Sequence, residues 1–177
     1  IIAEHFSRAA NGGIGAAKAA GNYSAQFCPT KLANEKGFQQ IIWTDDATHT
    51  KLEEAGTMNV FFRINDTLFT APTSERILDG ITRKSIIQFA ESKGIKVEVR
   101  PIKVTEIVEA AKNGSLLEMF GAGTAAVVSP IAGFAHKDEK FELPKVEDSY
   151  ASFIKKSITD IQRNLAEDTF GWRYKVQ

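Results

Sequence analysis

One lysine stands alone in a run of small residues, Asn11-Gly12-Gly13-Ile14-Gly15-Ala16-Ala17-Lys18-Ala19-Ala20-Gly21-Asn22-Tyr23. Glycine and alanine leave room for a flat, bulky ligand to lie against the backbone. A lysine in such a niche is expected to be partly desolvated, which favours its neutral amine. A neutral amine condenses with an aldehyde, so Lys18 is the first candidate for covalent chemistry. Tyr23, five residues on, could reach a phenolate-type oxygen of the same ligand. Two other readings stay open: an alanine-rich helix with a solvated lysine, and a dinucleotide turn through Gly13-x-Gly15. The dinucleotide turn is disfavoured because its last small position is Lys18 itself and Gly21-Asn22 interrupts the helix that should follow.

Three further segments offer complementary groups. Leu52-Glu53-Glu54-Ala55-Gly56-Thr57-Met58-Asn59-Val60-Phe61 places two carboxylates before a glycine turn and an apolar strand. A glutamate held there could accept a hydrogen bond from a protonated ring nitrogen and keep that ring electron-withdrawing; an exposed acidic loop is the plainer reading. Leu78-Asp79-Gly80-Ile81-Thr82-Arg83 opens a helix on a glycine, leaving the Ile81 and Thr82 amides free for an anion such as phosphate. Phe120-Gly121-Ala122-Gly123-Thr124-Ala125 joins two strands and offers the Thr124 hydroxyl and nearby amides to a second set of anionic oxygens. An ordinary helix start and an ordinary glycine-rich connection remain the alternatives for these two. His5, His49 and His136 are scattered, and no His/Cys/carboxylate spacing points to a metal.

The elements that must position these groups alternate. A short strand is expected over residues 2–9, a helix from Tyr23 to about Lys36, and a buried strand over Gln40–Thr44. Met58–Ile64 and Thr67–Thr70 flank the hairpin signal Asn65-Asp66. Helices are expected from Ile81 to Lys93 and from Glu106 to Asn113, the second capped by Thr105, with Gly94 and Gly114 as their stops. Lys96–Ile102, Leu116–Phe120 and Ala125–Ile131 read as strands. His136–Asp148 reads as a charged linker, and Asp148 or Ser149 caps a last helix from Tyr150 to about Ala166. The mixture predicts one α/β or α+β domain with a mixed sheet.

Composition narrows the class. At 43% hydrophobic and 25% charged, with 22 basic against 22 acidic residues, the chain has an ordinary globular composition and no basic footprint for nucleic acid. No run approaches the roughly 18 apolar residues of a membrane span. The single cysteine, Cys28, excludes an intrachain disulfide and suits a reducing compartment. The chain opens Ile1-Ile2-Ala3-Glu4, without methionine or a leader pattern, so the expectation is a piece of a longer protein.

Taken in order, the four segments resemble the class IV aminotransferases, and among them the branched-chain amino-acid aminotransferases. The shared pattern is Gly-Gly-x-Gly-x-x-Lys-x-x-Gly-Asn-Tyr, then Glu-x-Gly-Thr-Met-Asn-Val-Phe, then Leu-x-Gly-Ile-Thr-Arg, then Phe-Gly-x-Gly-Thr-Ala. The resemblance implies the large domain of the D-amino-acid aminotransferase-like fold (fold type IV), a pseudo-barrel with a mixed sheet. It implies pyridoxal 5'-phosphate as cofactor, with Lys18 as the catalytic residue forming the Schiff base. Tyr23 would meet the ring oxygen, Glu54 the ring nitrogen, and Ile81, Thr82 and Thr124 the phosphate; Thr57 would lie beside the cofactor, and Thr124 and Ala125 near the substrate carboxylate. The implied reaction passes the amino group of leucine, isoleucine or valine to 2-oxoglutarate in a cytoplasmic homodimer serving amino-acid biosynthesis. Residues 1–177 would be the C-terminal cofactor-binding domain, with the small N-terminal domain and its phosphate-binding arginine lying outside this chain, which would therefore be nearly inactive alone. Ala126 and Ser129 stand where animal members carry a Cys-x-x-Cys pair, so no redox switch of that kind is expected. A D-amino-acid aminotransferase, an aminodeoxychorismate lyase and a non-catalytic scaffold of the same fold are the alternatives; Thr57-Met58-Asn59 favours the branched-chain group.

Overall fold

The computed structural model describes residues 1–176. Its elements run α1 (Ala20–Ser24), α2 (Phe27–Glu35), β1 (Ile42–Thr44), β2 (Lys51–Ala55), β3 (Met58–Ile64), β4 (Thr67–Thr70), α3 (Ile81–Ser92), β5 (Lys96–Val99), β6 (Ile102–Lys103), α4 (Val104–Lys112), β7 (Leu116–Gly123), β8 (Val127–Ile131), β9 (Gly133–His136), β10 (Glu139–Glu142) and α5 (Tyr150–Gln162). β1 to β5 form a mixed sheet in that order, with β6 on β2 and β7–β8 on β3. Its strands pair antiparallel except β4 with β5, which α3 connects as a crossover. β9 and β10 form a separate hairpin.

β3 organises the sheet. Along one edge all of it but Met58 pairs with β7, from Asn59↔Ala122 to Ile64↔Leu116. Its other edge is shared, Met58 and Asn59 pairing with β2 and Phe61 to Ile64 with β4. At the change of partner the Thr70 hydroxyl donates to the Val60 carbonyl (2.8 Å), so that buried acceptor is satisfied. Strand alternation then divides the core. Val60 and Phe62 pack with Leu52, Ile102, Ile107 and Phe134 under α4. Phe61, stacked on its register partner Phe120 at 5.2 Å, packs with Ile86, Phe89, Ile154 and Ile158 under α3 and α5.

Several local expectations change for identifiable reasons. The strand expected over residues 2–9 reduces to one bridge, Ile2 with Ile42. The helix expected from Tyr23 to Lys36 is broken into α1 and α2, because Pro29 lacks an N–H and its ring opposes the carbonyl four residues back, at Ala25. The acidic segment is a strand, β2, in which Glu53 and Glu54 are buried by pairing with arginines. α4 begins at Val104 behind Lys103 rather than at a Thr105 cap, its first amide taken by the Thr50 carbonyl (2.8 Å). The expected linker contains most of the β9–β10 hairpin. α5 ends at Gln162 because Asn164 turns left-handed (φ 59°). Its start fits the expectation, since Ser149 Oγ accepts from the Ser152 amide (3.1 Å).

Candidate functional site

The site lies at the end of the sheet where β2 finishes, β3 begins and β7 finishes, a grouping fixed by the pairs Glu54↔Asn59 and Asn59↔Ala122. A cavity of about 530 Å³ opens there. Lys18 and Tyr23 line one side, Glu54 and Thr57 contribute from the β2–β3 hairpin, Ile81 and Thr82 from the start of α3, and Thr124 and Ala125 from the β7–β8 turn. All eight residues singled out in the sequence therefore meet around one space, although the chain separates the first from the last by most of its length.

The lysine segment is a loop rather than an alanine-rich helix, and α1 starts only at Ala20. Asn22 pins the loop, donating from Nδ2 to the carbonyls of Ile14 (2.7 Å) and Ala17 (2.9 Å). Gly15 lets it press against the chain before α3, since a Cβ there would lie 2.7 Å from Arg76 Cα. Lys18 itself is exposed, contrary to the expected desolvation; its Nζ stands 5.7 Å from the Tyr23 ring centre.

Glu54 is the opposite case, 3% exposed and held on both oxygens. Oε2 is paired with Arg8, and Oε1 accepts from Asn59 Nδ2 (3.2 Å) and from the Leu78 amide (3.2 Å). Burial pushes its carboxyl up to about 7, against the opposing pull of Arg8 and of the Leu78 N–H. The group is thus poised to ionise fully beside one more cation or N–H donor. Arg8 was not singled out from the sequence, and Asn59 was named only within the family pattern, with no role in the site. Asn59 was recoverable, because a two-residue turn at Gly56-Thr57 makes Glu54 and Asn59 register partners.

The α3 terminus forms the third wall. Gly80, its N-cap, has no side chain to close the first turn, leaving the Ile81 and Thr82 N–H groups to the cavity. A Cβ on Gly80 would approach Asn59 Oδ1 to 2.1 Å, so glycine is also required by packing. Opposite, Thr124 and Ala125 sit on a tight turn that forces Val127 into the left-handed region (φ 58°), a strained conformation for a β-branched residue. The donor set suits a ligand with an anion at one end, met by helix amides and a hydroxyl, and a protonated ring nitrogen at the other, met by a buried carboxylate. An amine lies within the same cavity. Pyridoxal 5'-phosphate has these features.

Comparison with known proteins gives the same direction. The family described as amino-transferase class IV matches residues 6–134. The chain is 40% identical over 176 residues to branched-chain-amino-acid aminotransferase 2 of Bacillus subtilis (strain 168), covering 99% of this chain and 48% of that protein. The chain spans about half the length of the curated relatives it matches. Among solved structures, the branched-chain amino acid aminotransferase from Escherichia coli superposes with a TM-score of 0.77 at 27% identity, covering 97% of this chain and 55% of that one. The branched-chain aminotransferase of the archaeon Thermoproteus uzoniensis, solved with norvaline, has a TM-score of 0.72 at 25% identity, over 89% of this chain and 48% of its own. The family match covers well over half the chain and the fold is that of the fold-type IV enzymes, so this chain belongs to the class IV aminotransferases.

Proposed function

We propose that residues 1–177 are the cofactor-binding domain of a branched-chain amino-acid aminotransferase that works with pyridoxal 5'-phosphate attached to Lys18. The observation that carries this reading is the meeting of Lys18, the buried Glu54 carboxylate and the uncapped α3 amides around one cavity. A further branched-chain amino acid aminotransferase of the same fold (TM-score 0.78) is complexed with N-(5'-phosphopyridoxyl)-L-glutamate, which supports the cofactor class.

When bound, the cofactor supplies an electron-withdrawing ring that stabilises negative charge on a substrate's α-carbon. This chain's residues would hold and orient it. Glu54 holds a proton at the ring nitrogen, and Tyr23 orients the ring through its oxygen. Ile81 and Thr82 amides, with the Thr124 hydroxyl, grip the phosphate. Thr57 bounds the cavity beside the ring, and Thr124 and Ala125 border the substrate carboxylate. Lys18 Nζ would serve as the base, taking the proton from the substrate's α-carbon and giving it to the cofactor's C4′. The net transfer takes the amino group of leucine, isoleucine or valine to 2-oxoglutarate, releasing a branched 2-oxo acid and glutamate.

The full-length protein is proposed to be a cytoplasmic homodimer acting in amino-acid biosynthesis, with a second domain completing the pocket. The 177-residue chain alone is expected to be inactive or nearly so. Among the described residues no helix is long and apolar enough to cross a membrane. A transamination screen of the full-length protein with 2-oxoglutarate tests the substrate class. Leucine, isoleucine and valine should be the best amino donors. D-alanine as the best donor, or no donor at all, would overturn the reading.

A further inference from the structure

We propose that Arg8 is the positioning residue of this site, fixing the Glu54 carboxylate in charge and in place and tying it to the loop that carries Lys18; the inference rests on the cofactor reading above. Arg8 is 8% exposed, a burial that a guanidinium tolerates only with its donors engaged. Its Nε pairs with Glu54 Oε2, while Nη2 donates to the carbonyl of Gly15 (2.9 Å) and to that of Arg76. One planar fork therefore joins three segments: the lysine loop, β2, and the stretch leading into α3.

The same three segments are held together around it. The Ala16 amide donates to the Glu75 carbonyl (2.8 Å), the Gly12 amide to the Glu75 carboxylate (2.8 Å), and Arg76 Nη1 to Asn11 Oδ1 (3.0 Å). Arg76 also binds Glu53 (2.6 Å), so each of the two consecutive buried acids has its own arginine. Arg76 serves Glu53 at the edge of the cluster. Arg8 serves Glu54, the acid that lines the cavity. The charged and titratable groups facing Glu54 are Arg8, which precedes the lysine segment, Lys18 within it and Glu53 from β2, with Tyr23 and Asp79 on the same cavity. Arg8 is the one cation among them in direct contact. Without it, burial and Glu53 both favour the neutral acid, which cannot hold a proton on a ring nitrogen. Geometry matters as much as charge. A lysine at position 8 could meet Glu54 but could not also reach both carbonyls from a fixed fork.

The experiment compares the full-length protein with Arg8→Gln, Arg8→Lys, Glu54→Gln and the Arg8→Gln/Glu54→Gln double variant. Three quantities are read: folding by circular dichroism, the dissociation constant for pyridoxal 5'-phosphate, and the pH midpoint of the bound chromophore's absorbance. Arg8→Gln should weaken cofactor binding about tenfold and move the absorbance midpoint by about one pH unit. Arg8→Lys should restore the midpoint only in part. In the Glu54→Gln background, Arg8→Gln should add less than about twofold, because its partner is already gone. A wild-type midpoint and affinity in Arg8→Gln would overturn the inference, as would fully additive effects in the double variant. If Arg8→Gln fails to fold, Arg8→Lys decides, and a wild-type titration there counts against the proposal. Failure of the underlying reading looks different: wild-type protein reduced with borohydride would carry no pyridoxyl group on Lys18, which overturns both.

Discussion

Glu54 and Asn59 face each other across the β2–β3 hairpin, with Asn59 Nδ2 donating to Glu54 Oε1 at 3.2 Å and to the Leu78 carbonyl at 2.9 Å. Asn59 thereby connects the acid to the turn that starts α3, and the space it needs exists only because residue 80 is glycine. Gly80→Ala should push Asn59 aside and disturb both the carboxylate and the helix amides. We predict cofactor binding weakened about tenfold or more, with stability reduced by about 1–2 kcal/mol. Cofactor titration of the full-length variant checks this, and unchanged affinity would contradict it.

The raised carboxyl of Glu54 has a signed consequence for stability. Its value moves from 4.5 up to about 7 on folding, so the folded chain binds the proton more tightly than the unfolded one. Stability from this group is full below about pH 4.5 and declines as pH rises to about 7, by about 3 kcal/mol. Thermal melts of the cofactor-free chain across that window should fall with pH, and Glu54→Gln should flatten the slope. A slope unchanged in the variant would show that another group is responsible.

Asp45 behaves in the reverse sense. Burial pushes its carboxyl up, but donors from the Lys51, Thr48 and Thr50 amides and the Thr48 hydroxyl outweigh it and hold the group at about 2. Its contribution is present above pH 3.8 and lost as pH falls towards 2. Asp45→Ala should cost about 2 kcal/mol near neutrality and remove part of the acid-denaturation slope, measurable by urea unfolding at several pH values.

At the other end of β3 and β7, Arg63 is 2% exposed, binds Glu118 (3.0 Å) and Asp148 (2.6 Å), and lies 3.6 Å from the Tyr150 ring centre. Glu118 also receives the Ser149 hydroxyl (2.6 Å) and the Tyr150 amide (2.8 Å), tying the start of α5 to the sheet. Glu118→Ala removes the buried partner of Arg63, leaving the exposed Asp148 as its close acid, and frees the Tyr150 amide, so it should destabilise by about 3 kcal/mol. Cofactor affinity should hardly change, because the cavity lies at the opposite end of both strands. A large loss of affinity at unchanged stability would contradict this separation.

How far the sequence could be read depended on the range of the forces involved. β3, β4, α3 and the Ser149 start of α5 follow from local periodicity and turn chemistry, and the structure has them at or near the expected limits. Lys18, Tyr23, Ile81, Thr82 and Thr124 were legible because each lies in a short segment with its own glycines, whereas Thr57, Ala125 and the choice of Glu54 over Glu53 came from the family resemblance. β2 was not legible: two adjacent glutamates look solvated until Arg8 and Arg76, brought from distant segments, neutralise them. Arg8 left no signal of its own, since its partners at Gly15, Glu54 and Arg76 share no spacing rule. The exposure of Lys18 was missed for a related reason. Small neighbours make room, but what covers the opening is decided by tertiary packing.

Everything proposed for the site turns on Lys18 being the residue joined to the cofactor. Borohydride reduction of the full-length protein with pyridoxal 5'-phosphate, followed by peptide mass mapping, tests it directly. A pyridoxyl mass is expected on the peptide containing Lys18, and its loss in Lys18→Ala. A pyridoxyl group on another lysine, or on none, would contradict it.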